Sequence, residues 1–276
     1  MAAAALSRGD MGRALWDAAG AGNTGEVTRL LGEGAPVNWA NCRDGQTPLV
    51  RAAQKGHAES MRVLLNRGAD LEAKNKDGRT ALMWAAFSGK SLIMALLLDR
   101  GAALEAKDKN DSTALMWAAH HVKVEALALL LDRGAGLACK NKNGWTALLW
   151  AAWNGKVEAV ALLLDRGADL DAKNNGDTTA LMMAAQNGKG GVMASLLERG
   201  ADLEVKDNVR MAGQHSSGLP GIAMWKLWRC CWTAAPTRRS ETMMAGPPSI
   251  CAGRALAGVR FLALSTSSAG VAGVCL

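Results

Sequence analysis

Apolar residues in this chain fall into two alternating kinds of run. One is short and alanine-rich, as in Thr80-Ala-Leu-Met-Trp-Ala-Ala86; the other is leucine-rich, as in Ala161-Leu-Leu-Leu-Asp-Arg-Gly-Ala168. A polar turn of Asn, Asp and Gly follows each leucine run. The first kind recurs at Thr113, Thr146 and Thr179, and as Thr47-Pro-Leu-Val-Arg-Ala-Ala53 one period earlier, always 33 residues apart. A degenerate first copy spans 10–43, one residue longer, with Ala18-Ala19 and Leu30-Leu31 in register. Self-similarity at this period is the mark of a repeat architecture.

Each copy predicts helix, turn, helix and loop. Thr80 is placed to cap the first helix, and Ala81 (Pro48 in the second copy) takes the first helical position. Gly89 fits the left-handed residue that ends the helix. The second helix buries Leu96 and Leu97 and stops at Gly101. One such unit cannot bury its apolar face alone, so the copies must stack.

With T-P-L-x-x-A-A, the leucine run and G-A-D-L-x-A in hand, the chain resembles the ankyrin repeat over residues 10–208. The resemblance implies an all-α fold: an ankyrin-repeat α-solenoid with β-hairpin finger loops and an irregular C-terminal tail. The repeats are expected at 10–43, 44–76, 77–109, 110–142, 143–175 and 176–208, after an N-terminal extension 1–9. It also implies a concave groove and finger tips that bind proteins. One departure is consistent: where the family has His after T-P-L, this chain has Val50, Met83, Met116, Leu149 and Met182. Packing is expected to replace the lost polar brace.

Carried onto this sequence, the family's contact positions are Trp84, Phe87, Trp117, His120, Trp150 and Trp153 in the groove. Those at the finger tips are Lys76, Arg79, Lys109, Lys142 and Trp145. Trp84, Trp117 and Trp150 are expected to fill space between repeats. Phe87 and Trp153, three residues on, should face solvent and recognise a partner, because aromatic anchors dominate interface energies.

Charge changes this picture less than it first suggests. The chain of 276 residues has a net charge of +7 and a pI near 9.3, which would suit nucleic acid. Residues 209–276 carry seven basic side chains against Glu241 alone, so nearly all of the excess sits there. In the repeats, Glu72, Asp77, Glu105, Asp108, Asp111, Asp171, Glu204 and Asp207 are interleaved with the lysines. That alternation reads as a solvated face; if it binds anything, an acidic peptide is the first candidate, and nucleic acid and membrane are not expected partners.

Catalytic readings find no support. His120 and His121 are adjacent and should point apart on a helix, unlike an i, i+4 metal pair. No nucleophile–base arrangement stands out, and Gly188-Lys-Gly-Gly191 lacks the phosphate-loop pattern. The six cysteines show neither metal-ligand nor disulfide spacing. A cytoplasmic monomer with reduced thiols and no cofactor is expected. Two copies look weak: Val122 stands at the left-handed site held elsewhere by glycine, and Gly190-Gly191 open the last second helix.

After Asn208 the pattern stops. Joining the third base of each codon to the next two, however, restores fragments of it. Met224-Trp225 forces valine, Trp225-Lys226 glutamate, Cys230-Cys231 and Cys231-Trp232 leucine, and Trp232-Thr233 aspartate. These have the spacing of Val157, Glu158, Leu163, Leu164 and Asp165. The tail is thus expected to be disordered, frameshifted repeat sequence. The main expectation is a non-enzymatic interaction scaffold; the alternative is a truncated or misread gene product without independent function.

Overall fold

The computed structural model describes residues 7–202. The expectations for 209–276 lie outside the described residues. Within them, twelve helices are taken in pairs. They are α1 (Arg8–Ala21) with α2 (Thr24–Gly32), α3 (Pro48–Lys55) with α4 (Ala58–Asn66), and α5 (Ala81–Ser88) with α6 (Ser91–Asp99). The remaining pairs are α7 (Ala114–His120) with α8 (Val124–Asp132), α9 (Ala147–Asn154) with α10 (Val157–Asp165), and α11 (Ala180–Gln186) with α12 (Gly190–Glu198). The first helices stack in chain order from α1 to α11, and the second helices stack likewise from α2 to α12.

Local chemistry sets each helix start. Thr47, Thr80, Thr146 and Thr179 accept a hydrogen bond from the amide three residues on, satisfying a donor the helix itself cannot. Helix α1 begins at Arg8, with Ser7 as cap, two residues before the first repeat was expected to start. The short alanine pairs, Ala52-Ala53, Ala85-Ala86, Ala118-Ala119 and Ala151-Ala152, are completely buried where first helices meet. Anything larger would hold the helices apart.

The core repeats with the sequence. Leu49, Leu82, Leu115, Leu148 and Leu181 line it from the first helices. Met61, Met94, Leu127, Val160 and Met193 close it from the second helices, with Leu64, Leu97, Leu130, Leu163 and Leu196 one turn further. Fully burying each such side chain contributes about 1.5–3 kcal/mol. Leu96 is only half-buried, unlike Leu97, because it lies toward the outer face of α6. Val50, Met83, Met116 and Leu149 are 2% exposed or less, so apolar packing takes the place of the polar brace in these four, whereas Met182 in the last pair is only half-buried.

Helix ends show why glycine follows most first helices. Gly89 and Gly155 have φ of 68° and 80°, and each also lies beneath the stem of a lysine from the next pair. A Cβ on Gly89 would stand 2.7 Å from Lys123 Cδ, and one on Gly155 2.4 Å from Lys189 Cδ. Val122 takes the equivalent place after α7 with φ 57°, as its sequence position predicted.

The finger loops differ in detail from the expected β-hairpins. Among the described residues no strand forms. Each finger is a turn closed by a backbone bond across its base, such as Asn75 N to Arg79 O at 3.0 Å, with a second inside it, such as Gly78 N to Asn75 O at 2.9 Å. Three residues lie between Asn75 and Arg79, and no further backbone pair outside them extends the turn into a ladder among the described residues. Neighbouring fingers are joined by one backbone bond each: Lys76 N to Asp44 O, Lys109 N to Asp77 O, Lys142 N to Asn110 O, and Asn175 N to Asn143 O, at 2.8–3.1 Å.

Candidate functional site

Fingers and first helices meet along one face. Their junction is fixed by an Asn or Asp at the base of each finger, a role the sequence reading did not assign. Asn75 Oδ1 accepts from the amides of Asp77 and Arg79, Asp108 Oδ1 from Asn110 and Ser112, Asn141 Oδ1 from Asn143 and Trp145, and Asn174 Oδ1 from Gly176 and Thr178, all at 2.8–3.0 Å. The signal was present in the sequence as Asn or Asp recurring every 33 residues. It belongs to the family of side-chain turns that mimic a backbone turn.

Above these brackets the aromatic residues form one connected row. Trp84 and Phe87 meet edge to face at 5.3 Å, and Phe87 reaches across to Trp117 at 6.0 Å and His121 at 4.0 Å. His121 stacks on Trp117, and His120 meets Trp150 at 4.4 Å. Trp145, on the 141–145 finger, completes the row against Trp150 at 4.2 Å and Trp153 at 5.6 Å. Arg79 enters from its finger with its guanidinium carbon 4.0 Å from the Trp117 ring centre and 5.1 Å from that of Trp84. These separations are those of favourable aromatic and cation–π pairs.

Burial sorts the row. Trp84, Trp117 and Trp150 are half-buried and rest on the core, filling space between repeats as expected. Trp153 is 40% exposed. Phe87 is more covered than its position suggested, because His121 of the following pair lies over it. The two histidines also depart from expectation. Helix α7 ends at His120 and His121 is its C-terminal cap, so the rings leave helical geometry and touch, with Nδ1 of His120 3.0 Å from Nε2 of His121. Among the described residues no group of three metal-ligating side chains assembles there.

Electrostatics in the row follow from burial and from nearby cations. Loss of water pushes the His121 pKa down to about 4, helped by the charges of His120, Lys123 and Arg79. Burial and Arg79 lower that of His120 as well. Both imidazoles are therefore neutral near pH 7.

The finger tips carry exposed Lys76, Lys109 and Lys142, with Arg79 and Trp145 half-buried. Lys76 Nζ donates to Cys42 O of the preceding finger at 2.6 Å. Beside the tips, Lys74 Nζ and Lys140 Nζ donate to the carbonyls of Lys107 and Lys173. Several of the interleaved acids point along the array too: Glu72 accepts from Ala103 N and Glu105 from Gly136 N, both at 2.7 Å. Much of the alternating charge thus links one repeat to the next. A hollow of about 80 Å³ between Leu137, Lys140, Ala168 and Ala172 is small beside the roughly 300–1,000 Å³ of small-molecule sites.

A family profile described as "Ankyrin repeats (3 copies)" matches residues 15–108, 93–174 and 115–207, well over half of the chain. The chain belongs to the ankyrin-repeat family. Two curated relatives share part of this array: GA-binding protein subunit beta-1 of Bos taurus and of Homo sapiens, each 40% identical over 73 residues. That stretch is 26% of this chain and 18% of either relative, so the likeness extends to less than a fifth of their length. Ankyrin repeats are in general protein–protein interaction modules. No helix of the described residues is long and apolar enough to cross a membrane.

Proposed function

We propose that this ankyrin array is a non-enzymatic scaffold that binds a protein partner through the aromatic row and the finger tips. The observation that carries the reading is the exposure of Trp153 at the end of a continuous row of rings. A tryptophan set against Trp145, which itself packs on Trp150, loses little freedom on binding and brings a large apolar area, which is what interface anchors do. The half-buried members of the row, Trp84, Trp117, His120 and Trp150, hold the anchor in place. Exposed Lys109 and Lys142 on the finger tips add positive charge and favour a partner segment with acidic residues. The partial likeness to a protein named as one subunit of a larger assembly supports a binding role, and a cytoplasmic or nuclear site of action is compatible with it.

Comparative affinity capture tests this reading. The wild-type chain and a Phe87→Ala, Trp153→Ala double variant of equal helicity are used as bait in parallel. Proteins retained by the wild type and lost by the variant are the expected result. Identical retained sets would refute a groove-centred scaffold.

A further inference from the structure

At the base of the 75–79 finger, three hydrogen-bond donors lack an acceptor. Asn75 Nδ2, Arg79 Nε and Trp84 Nε1 are buried and none has a partner. The amide of Asn75 cannot be turned to help, since its oxygen already accepts from Asp77 and Arg79. One repeat later the same place is filled differently. Asp108 stands where Asn75 stands, and its second oxygen accepts the Trp117 indole N–H at 3.1 Å. The finger before α7 thus supplies an acceptor for its tryptophan, and the finger before α5 does not. Arg79 lies over both indoles, and none of the ion pairs among the described residues involves it.

We propose that this spot is a carboxylate-binding subsite of the groove, occupied by an Asp or Glu side chain of the partner. Unsatisfied donors in a desolvated place favour any acceptor that arrives. A guanidinium set against two ring faces can offer its planar fork of N–H groups to a carboxylate. Exposed Lys109 adds charge of the same sign nearby, while Glu72 and Glu105 are engaged with backbone amides. The subsite rests on the groove reading above.

The test uses the full chain with a hexaglutamate peptide and a hexaglutamine control, followed by titration calorimetry. Hexaglutamate should bind and hexaglutamine should not. Arg79→Gln should weaken binding at least tenfold. Asn75→Asp should weaken it similarly while raising the urea midpoint, because the new carboxylate supplies the acceptor from within. Unchanged affinity in both variants, or equal binding of the two peptides, overturns the subsite. A partner whose capture needs Phe87 and Trp153 but not Arg79 would leave the groove reading standing and remove only the subsite.

A second observation, independent of the first, concerns the coding sequence after the described array. The nine codon junctions from Met224 to Thr233, read one nucleotide out of frame, admit V-E-A-V-A-L-L-L-D, which is the sequence of α10, Val157–Asp165. Five of the nine junctions have no freedom, and all five agree. Ala159, Val160 and Leu163 are the fully buried positions of that helix, and each is allowed in the shifted reading. Met211-Ala212 forces a glycine 13 places before the valine, the distance from Gly144 to Val157. Met244-Ala245 forces another glycine 33 places after the first.

We infer that the gene encodes at least one further repeat in the offset frame, continuing the stack beyond α12. Sequencing the transcript across codons 203–250 tests this. Codons in the offset frame that spell W-T-A-L after each glycine are expected. A stop codon there, or bases that break the pattern at the unforced junctions, would overturn the inference. In protein, a chain read in the offset frame after Asn208 should show slower amide exchange in α11 and α12 than the present chain; equal or faster exchange counts against it.

Discussion

Asp108 bridges a finger and a helix: one carboxylate oxygen receives the Trp117 indole N–H at 3.1 Å while the other holds the amides of Asn110 and Ser112 at 2.8 Å. The side chain is only 6% exposed, so these bonds replace water. Asp108→Asn keeps the finger bracket but turns an N–H toward the indole N–H. Two buried donors then face each other, and the expected loss is about 1–3 kcal/mol. Urea unfolding followed by far-UV circular dichroism measures it; an unchanged midpoint would show that the indole bond contributes nothing.

Val122 holds a left-handed backbone with a β-branched side chain, which stores about 1–3 kcal/mol of strain. Val122→Gly removes the strain but adds freedom to the unfolded chain, offsetting about 0.5–1 kcal/mol. A net gain of about 1 kcal/mol is expected. The glycine would also let the Lys156 stem lie down, as Lys123 does over Gly89; at present Lys156 pairs with Glu158 at 3.7 Å. A thermal midpoint that falls in the variant would contradict this account.

Much of this architecture can be read from the sequence because repetition amplifies weak signals. A threonine cap, an alanine pair and a leucine pair each say little once; at constant spacing they define helix pairs. What the period conceals is chemistry that depends on departures from it. The contact between His120 and His121 arises because α7 ends one residue early, where glycine has been replaced. The cover of Phe87 comes from the same departure, since His121 belongs to the next pair. Whether a given Asn or Asp accepts an indole bond also depends on one atom, nitrogen or oxygen, at an otherwise equivalent place.

Acid should weaken the array through its histidines. In the folded chain the pKa of His121 is about 4 and that of His120 is also depressed, whereas an unfolded histidine titrates near 6.5. Between those values the unfolded chain binds protons that the folded chain refuses. Stability therefore falls as pH drops from about 6.5 toward 4 and is insensitive to these groups above that window. A His120→Gln, His121→Gln variant should show a shallower decline in urea midpoint between pH 7 and pH 5 than the wild type. Parallel declines would assign acid sensitivity to other groups.

The thiol of Cys139 is tied to the acid ladder in a way that makes its reactivity predictable. It donates to Glu105 Oε2 at 3.0 Å, and burial, then the Glu105 hydrogen bond and charge, push its pKa up to about 11. A thiol so protonated is a poor nucleophile at neutral pH, whereas Cys42 is exposed. Iodoacetamide at pH 8 should modify Cys42 well before Cys139, resolved peptide by peptide by mass spectrometry. Glu105→Gln removes the anion and should accelerate labelling of Cys139. It also weakens the acceptor that Gly136 N uses at 2.7 Å, so the urea midpoint should fall in the same variant. Faster labelling with an unchanged midpoint would mean that Glu105 governs the thiol without joining the two repeats; slow labelling with a lowered midpoint would assign the raised pKa to burial alone.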